Sequence, residues 1–185
     1  MSAGRSTRSL LARAGLSVLG GILAWATLTY VSFWQVRLHG ARLSRRFPGW
    51  LVPKPFRVLP PPESEYVGVW SVPPETARDR LVEEHGFNQM IRAYLHAYER
   101  EGTVLYEVAS CSYRPGGRFG RWQLHVRLFP TPDGKTDVWC HWELNPNVAP
   151  IAHLRQEGYD PEGGERRLRE LLEDVTFERT DDAIA

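Results

Sequence analysis

The sequence predicts an α+β protein: an N-terminal transmembrane helix, then one domain with an antiparallel sheet of about four strands and helices packed on one face. Three observations support this prediction. Residues 14–36 contain no charged side chain, three β-rich segments between residues 103 and 144 are separated by turn sequences, and apolar residues elsewhere recur at helical spacing. The predicted organisation is a basic leader over residues 1–13, the transmembrane helix over 14–36, a linker over 37–62 and the α+β domain over 63–185.

The apolar run is long enough to cross a bilayer. Its 23 residues extend ~34 Å as a helix, against ~30 Å of hydrocarbon. A helix buried in a soluble protein is rarely so long without a charge. A cleavable signal peptide is the stronger alternative, because Ala24-Trp25-Ala26 fits the pattern of a cleavage site. We favour an anchor, since the apolar run continues past that site to Trp34.

Charge is distributed unevenly along the chain. Nine basic and no acidic residues precede Glu63. From Glu63 onward the chain has 14 basic and 22 acidic residues, so this part has a net charge of −8. A basic segment beside a membrane attracts anionic lipid headgroups, and an acidic domain argues against nucleic-acid binding. The residues predicted to lie at the membrane surface are Arg37, Arg42, Arg45, Arg46, Lys54 and Arg57.

The linker and the charges beside the span predict how the domain is held. Six prolines between residues 48 and 62 favour an extended, stiff spacer. We expect a single-pass membrane protein with its C-terminal domain in the cytoplasm, because five Lys or Arg residues follow the span closely and three precede it. A leader with three arginines that stays inside would place the domain outside instead.

The first part of the domain reads as a strand and two helices. Residues 66–72 alternate as a strand does, and a helix is predicted over residues 74–85 and ended by Gly86. A second helix is predicted from Asn88, with a stripe formed by Ile91, Tyr94, Leu95 and Tyr98. His96 lies off that stripe, so it is expected to face solvent.

The second part of the domain reads as a meander followed by helices. Residues 103–113, 121–129 and 136–144 are rich in strand-forming residues and are separated by Pro115-Gly116-Gly117 and Pro132-Asp133-Gly134. Asn147 is predicted to cap a short helix that ends near residue 157. Asp160-Pro161 is predicted to begin a last helix, whose apolar stripe is Leu168, Leu171, Leu172 and Val175.

The second turn of the meander also predicts the register of its hairpin. A three-residue loop over residues 132–134 pairs Thr131 with Lys135. The resulting register makes one face uniformly apolar, with Val126 opposite Cys140, and the other face polar. Cys111 and Cys140 then lie on strands separated by a third, roughly 9–10 Å apart, which is too far for a disulfide. We therefore expect two free thiols.

The polar face of the hairpin contains the candidate binding residues. Two imidazoles and a carboxylate on it lie within reach of a divalent metal ion, although a solvated polar face without metal is the simpler interpretation and no cofactor is predicted outright. Trp139 is expected to be an exposed ring on this face unless the C-terminal helix covers it. The candidate residues are Gln123, His125, Arg127, Trp139, His141 and Glu143, of which His125, His141 and Glu143 are the possible metal ligands.

A second candidate site is the glycine-rich loop of the first turn. Backbone amides and guanidinium groups there are suited to bind a phosphate or an anionic headgroup, although an ordinary hairpin loop explains the same residues. The arginines of this candidate anion site are Arg114, Arg118 and Arg121. Gly134-Lys135-Thr136 lacks the earlier glycine of a nucleotide-binding loop, so it carries no such prediction.

The leading functional hypothesis is a single-span anchored domain that binds a partner protein or a small ligand through the polar face of the sheet. The alternative is a membrane-bound enzyme that uses His125, His141 and Glu143 with a metal ion or as general acid and base. A concave pocket at these residues would favour the enzyme, and a flat or helix-covered face would favour the binding module. A structural role in a larger membrane complex is a third interpretation.

Overall fold

The computed structural model describes residues 30–44, 46–52, 57–90 and 94–179. The chain divides into two compact units, Met1–Phe33 and Trp34–Ala185, and the first of these lies almost wholly outside the described residues. The predicted leader and residues 14–29 of the predicted span therefore lie outside them too. Within the described residues, no helix combines the length and the apolar character needed to cross a bilayer.

The described residues form an α+β fold, as the sequence predicts. Its helices are α1 (Tyr30–Ser44), α2 (Pro74–Glu83), α3 (Pro150–Leu154) and α4 (Pro161–Leu171), with 3-10 turns at Gly49–Leu51, Glu63–Glu65 and Gly117–Phe119. Its strands are β1 (Val58–Leu59), β2 (Tyr66–Trp70), β3 (Asn88–Gln89), β4 (Leu95–Arg100), β5 (Thr103–Tyr106), β6 (Ala109–Tyr113), β7 (Trp122–Pro130), β8 (Thr136–Leu144) and β9 (Phe177–Glu178).

The strands form two sheets rather than one. The larger sheet has six strands in the order β3-β6-β7-β8-β2-β9, and all of its pairings are antiparallel. The smaller sheet has the order β1-β4-β5, with β1 parallel and β5 antiparallel to β4. The predicted meander is present as β6-β7-β8, but its first strand, predicted over residues 103–113, is broken into β5 and β6, which belong to different sheets. The prediction of one sheet of about four strands is therefore wrong in number, and the sequence did not suggest the second sheet.

The core lies between the larger sheet and the helices α2 and α4. Apolar side chains from the inner face of β7 and β8 pack there against Ala77 and Leu81 of α2 and against Leu168 of α4. Each fully buried Leu or Val contributes roughly 1.5–3 kcal/mol to folding. The buried hairpin residues of this face are Leu124, Val126, Leu128, Val138 and Cys140. Helices thus cover one face of the sheet, as predicted.

The hairpin β7–β8 has the predicted register over its whole length, from Trp122 opposite Leu144 to Pro130 opposite Thr136. Gly134 has φ of +80°, which suits the left-handed position that the three-residue loop requires. Cys111 and Cys140 are both free and buried, which confirms the thiol prediction. Local turn chemistry and side-chain alternation therefore specify this part of the fold.

The predicted second helix is wrong, because Leu95–Arg100 is the strand β4. Arg100 pairs with Thr103 across the two-residue turn Glu101-Gly102, whose φ angles are +51° and +72°. Positive φ angles at both central residues are typical of a type I′ turn, whose twist matches that of the flanking strands. The segment therefore forms the hairpin β4–β5 and not the predicted helix. His96 is consequently buried rather than solvated, and its backbone N–H donates to the carboxylate of Glu107 at 3.0 Å.

An ion pair holds the smaller sheet against the larger one. Asp137 of β8 is fully buried and accepts hydrogen bonds from Arg100 at 2.9 and 3.0 Å, from Tyr66 at 3.2 Å and from Tyr98. Arg100 and Tyr98 belong to β4, whereas Asp137 and Tyr66 belong to the larger sheet. The smaller sheet is therefore fixed over the face of the larger sheet that the helices leave uncovered.

Helix α4 approaches β8 closely at a glycine. Asp160 caps the helix, since its Oδ1 accepts from Gly163 N at 2.8 Å, and Pro161 occupies the first turn. A Cβ atom on Gly164 would lie only 2.6 Å from the Cα of His141. The predicted start of this helix is confirmed. The shorter helix α3 begins at Pro150 after Ala149, so Asn147 does not cap it.

Candidate functional site

The polar face of the β7–β8 hairpin is buried. Gln123 pairs with Glu143, His125 with His141 and Arg127 with Trp139, and the exposed fractions of these six residues lie between 0 and 9%. A partner protein therefore cannot dock on this face in the folded domain. The face is covered by a second layer of structure that sequence reasoning did not anticipate.

Trp139 shows what this layer consists of. The expectation of an exposed ring is wrong, since Trp139 is 1% exposed. Its ring centroid lies 5.1 Å from that of Tyr66, 5.2 Å from that of Tyr98 and 6.0 Å from that of Phe129. The cover comes from β4 and from neighbouring strands, and not from the C-terminal helix, whose apolar residues lie in the core on the opposite face. Among the described residues, the indole Nε1 and Arg127 Nε have no hydrogen-bond acceptor.

The carboxylate of Glu143 lies at the centre of the buried cluster. Its Oε1 accepts a hydrogen bond from Gln123 Nε2 at 2.5 Å and lies 3.5 Å from His125 Nδ1. Its Oε2 lies 3.1 Å from His141 Nε2 and 3.1 Å from His153 Nδ1. Two strands and the helix α3 therefore direct three imidazoles and one amide at a single carboxylate.

The second ring nitrogen of each strand histidine, His125 and His141, also has a polar partner. His125 Nε2 lies 2.7 Å from the hydroxyl of Ser110 on β6, and His141 Nδ1 lies 3.0 Å from Glu65 Oε1. In each ring the nitrogen that faces away from Glu143 has its own polar partner. Such outer partners set the tautomer and the orientation of an imidazole.

Glu65 is the second buried carboxylate of the cluster. It belongs to the 3-10 turn before β2 and is 2% exposed. Its Oε1 accepts from the hydroxyl of Tyr159 at 2.6 Å, and its Oε2 accepts from Arg127. The ring of Tyr159 also packs on His141 with centroids 5.0 Å apart, and it lines a cleft of about 510 Å³ together with Trp122 and neighbouring residues. Tyr159 therefore stands between that cleft and the cluster.

The cluster shifts the pKa values of its carboxylates downward. Burial alone would raise the pKa of Glu65, but the hydrogen bond from His141 and the charge of Arg127 outweigh burial and lower it from 4.5 to about 2. Burial is likewise outweighed at Glu143, whose pKa is held far below its usual range by hydrogen bonds from His125, His141 and His153. Both carboxylates are therefore ionised at neutral pH.

The three histidines differ in their protonation. Burial, together with the positive charge of Arg127, lowers the pKa of His125 from 6.5 to about 4, so its ring is neutral. Burial opposes protonation of His141 too, but its hydrogen bonds to Glu143 and Glu65 raise its pKa. A hydrogen bond to Glu143 raises the pKa of His153.

The contacts of His141 favour a positive charge at the ring, and Arg127 Nη1 lies 3.3 Å from its Nδ1. The neutral ring has one N–H, and donation of that proton to Glu65 leaves a lone pair on Nε2 that faces a carboxylate oxygen 3.1 Å away. Two lone pairs at this distance repel each other. The contact is favourable only with a second proton on the ring or with a metal ion between the two atoms.

The donor atoms are arranged in a way that suits a metal ion. One nitrogen each of His125 and His141 and one oxygen of Glu143 all lie within 4.8 Å of one another. Imidazole and carboxylate ligands at ~2.0–2.2 Å are the usual donors to Zn²⁺. His153 is placed differently, because its Nδ1 also lies 3.0 Å from the carbonyl oxygen of Leu144. That carbonyl accepts a hydrogen bond from the Nδ1–H group, so His153 supports Glu143 rather than offering a free lone pair.

Sequence reasoning missed four members of this cluster: Ser110, His153, Glu65 and Tyr159. Ser110 lies opposite Arg127 in the β6–β7 pairing, so it is a diagonal neighbour of His125 on the same face of the sheet. This contact follows only after the order of the strands is known. Glu65 and Tyr159 each stand one residue before an expected element, and nothing in the sequence indicates that these elements flank β8. His153 had a signal, since it lies in the predicted short helix that follows Glu143.

The arginines of the glycine-rich loop do not share one environment. Arg114 Nε donates to Gln123 Oε1 at 2.9 Å and so extends the buried network. Arg118 and Arg121 are exposed, and the guanidinium of Arg118 lies 6.0 Å from the ring centroid of Phe119. Anion binding by this loop stays a prediction.

The residues predicted to lie at a membrane surface are only partly described. Arg37 is buried with its guanidinium 4.4 Å from the ring centroid of Trp34, and Arg42 lies 5.4 Å from that of Tyr106. Arg46 and Arg57 are exposed. The remaining two, Arg45 and Lys54, lie outside the described residues.

Comparisons with family models, with curated proteins and with solved structures find no match to this chain.

Proposed function

We propose that the domain binds one divalent transition-metal ion, of the zinc class, between His125 Nδ1, His141 Nε2 and the carboxylate of Glu143. The observation that supports the proposal is the position of His141 between two ionised carboxylates, at 3.0 and 3.1 Å. A metal ion at Nε2 removes the repulsion between that nitrogen and Glu143 without a second proton on the ring. It also compensates the buried negative charge.

The surroundings of the ligands support the same proposal. Ligating histidines commonly donate their second ring N–H to a carboxylate or another acceptor, and ligating carboxylates are themselves hydrogen-bonded. Here Glu65 stands behind His141, Ser110 behind His125 and Gln123 beside Glu143. A network of this kind orients the three donors before the ion binds, which reduces the entropy that binding has to overcome.

Three protein ligands leave one coordination position for water or a substrate. Structural zinc sites usually close with four protein ligands, whereas catalytic sites keep a position open. An ion here would act as a Lewis acid and lower the pKa of a bound water. The proposed class is therefore a metal-binding domain with an open position. Docking of a partner on the polar face gains no support, because that face is 0–9% exposed.

A cobalt titration tests the metal site. The full-length chain, purified in detergent and stripped of metal, is expected to bind one Co²⁺ with the visible absorption bands of a low-coordinate nitrogen and oxygen site. Glu143→Gln and His125→Gln should each weaken binding by at least about tenfold. The matched control is His39→Gln, an exposed histidine of α1. Equal affinity in the wild type and in both cluster variants, with near-UV circular dichroism showing that they are folded, would contradict the proposal.

We further propose that residues 14–36 anchor this domain to a bilayer and that the domain lies in the cytoplasm. The support is the charge distribution: the nine basic residues before Glu63 are joined to a domain with a net charge of −8. Alkaline phosphatase fused to the C-terminus tests the orientation. We expect an inactive fusion, and strong phosphatase activity would refute the cytoplasmic placement.

A further inference from the structure

An apolar and basic surface lies at one end of the larger sheet, and it includes the exposed side of α3, the helix whose His153 contacts Glu143. It consists of two segments, residues 117–121 before β7 and residues 148–155 after β8. Four large apolar side chains on these segments are exposed: Phe119 at 80%, Val148 at 45%, Ile151 at 65% and Leu154 at 73%. We call this surface the loop tip.

The two segments of the loop tip are joined by hydrogen bonds. Asn145 Nδ2 donates to the carbonyl oxygen of Arg118 at 3.0 Å and to that of Gly120 at 2.7 Å. The backbone N–H of Asn145 donates to Arg121 O at 2.9 Å, and Val148 N donates back to Asn145 O at 3.0 Å. Asn145 is itself fully buried. The apolar side chains are therefore presented by one preformed unit and not by two independent loops.

The spacing on the second segment places apolar side chains together. Ile151 and Leu154 are three residues apart on α3 and lie on one face of that helix. Burying large apolar groups is favourable, so a cluster of them left open on a surface indicates an interaction site. A single exposed Leu would carry no such meaning.

The charge of the loop tip indicates what it contacts. Residues 117–121 and 148–155 contain three arginines and no acidic residue, although the domain as a whole is acidic. Arg118, Arg121 and Arg155 are exposed, and Arg155 Nη1 lies 3.8 Å from the carboxylate of the neighbouring Glu157. Apolar side chains rimmed by arginines match an anionic lipid surface, in which the rings and aliphatic groups reach the acyl boundary and the guanidinium groups bind phosphate.

The rest of the domain strengthens this assignment. An anionic membrane repels the acidic remainder of the domain and attracts only the basic end, so electrostatics orient the loop tip toward the lipid. We infer that the loop tip, with Phe119, Ile151 and Leu154 at its centre, is a docking surface for a bilayer that contains anionic phospholipids.

A fluorescent label tests the inference directly. Cys111 and Cys140 are buried, so Ile151→Cys provides the one readily labelled thiol in the folded chain for an NBD fluorophore. The labelled full-length chain is reconstituted into phosphatidylcholine vesicles with or without phosphatidylglycerol. We expect a blue shift, and quenching by doxyl-labelled lipids, only with phosphatidylglycerol. A matched label at Glu84→Cys, on the exposed end of α2, should show neither change.

A double variant distinguishes binding through the loop tip from any other membrane attachment. Arg118→Gln combined with Arg121→Gln should remove the quenching at position 151, while the chain still floats with the vesicles through its proposed anchor. The inference is overturned if the label at position 151 is not quenched in vesicles that contain phosphatidylglycerol when the arginines are intact. It is also overturned if the labels at positions 151 and 84 are quenched equally. A blue shift that appears without lipid and grows with protein concentration overturns it too, because it would mark a contact between copies of the chain.

Discussion

Glu65→Gln is the substitution that tests the buried network most sharply. The change keeps the shape of the side chain but removes its charge and turns one of its two acceptor oxygens into a donor. In the wild type, Glu65 accepts from Arg127, from the Tyr159 hydroxyl at 2.6 Å and from His141 Nδ1 at 3.0 Å. A glutamine can accept on one side only, so at least one of these donors then faces an N–H group.

The magnitude follows from two independent arguments. Removing one partner of a buried ion pair costs about 3–5 kcal/mol, because the other charge stays buried without compensation. The pKa of Glu65 is lowered from 4.5 to about 2, and such a shift corresponds to about 3 kcal/mol of preference for the ionised form at ~1.36 kcal/mol per unit. We therefore expect the free energy of unfolding of the metal-free protein to fall by about 3 kcal/mol.

The assay is urea unfolding of the full-length chain in detergent, followed by tryptophan fluorescence. The matched control is Glu63→Gln, an exposed glutamate in the same 3-10 turn, which should change the free energy of unfolding by less than about 0.5 kcal/mol. A loss at position 65 no larger than that at position 63 would refute the interpretation of Glu65 as a charge-compensating residue.

Three further predictions concern packing, thiols and acid. Gly164→Ala should destabilise the domain by roughly 1–3 kcal/mol, because the added Cβ would lie 2.6 Å from the backbone of β8. The control is Gly49→Ala, whose Cβ meets open space. Thermal unfolding compares the stabilities of the two variants. Burial raises the pKa of Cys111 to about 12 and that of Cys140 further, so maleimide should label neither thiol in the native chain and both in urea. Because the pKa of Glu65 is lower in the folded than in the unfolded chain, its contribution is complete above pH 4.5 and is lost as the pH falls toward 2; urea midpoints should fall over that range, and less steeply in Glu65→Gln.

The hairpin β7–β8 shows which features are accessible from sequence. Its turn Pro132-Asp133-Gly134 and the alternation of its strands act over a few residues, and both lead to the same register, which the structure confirms residue by residue. The cap at Asp160 and the end of α2 before Gly86, whose φ is +70°, are equally local. Features of this kind depend only on neighbours in the chain.

The strand β4 shows where local reasoning fails. The stripe through Tyr94, Leu95 and Tyr98 fits a helix, and the same residues fit a strand whose partner follows a two-residue turn. Glu101-Gly102 is a weaker turn signal than Asn-Gly, and the pairing with β5 decides between the two structures. Since β4 and β5 belong to the smaller sheet, a prediction with a helix in place of β4 lacks the layer that buries Trp139.

The candidate site could be predicted only in part, because some of its residues are brought together by local structure and others by long-range packing. The hairpin register brings His125, His141 and Glu143 together, and three residues from one hairpin need no knowledge of the tertiary structure. Glu65 and Tyr159 reach His141 from elements whose position beside β8 depends on the strand order and on the close approach of α4 at Gly164. Long-range packing of that kind leaves no periodic pattern in the sequence.

The most direct test of the central claim is anomalous diffraction at the zinc absorption edge from crystals of the full-length chain with one equivalent of Zn²⁺. We predict one strong peak at ~2.0–2.2 Å from His125 Nδ1, His141 Nε2 and an oxygen of Glu143. Crystals without a peak at this position, or with zinc bound only at surface residues, would contradict the proposal that the buried cluster is a metal site.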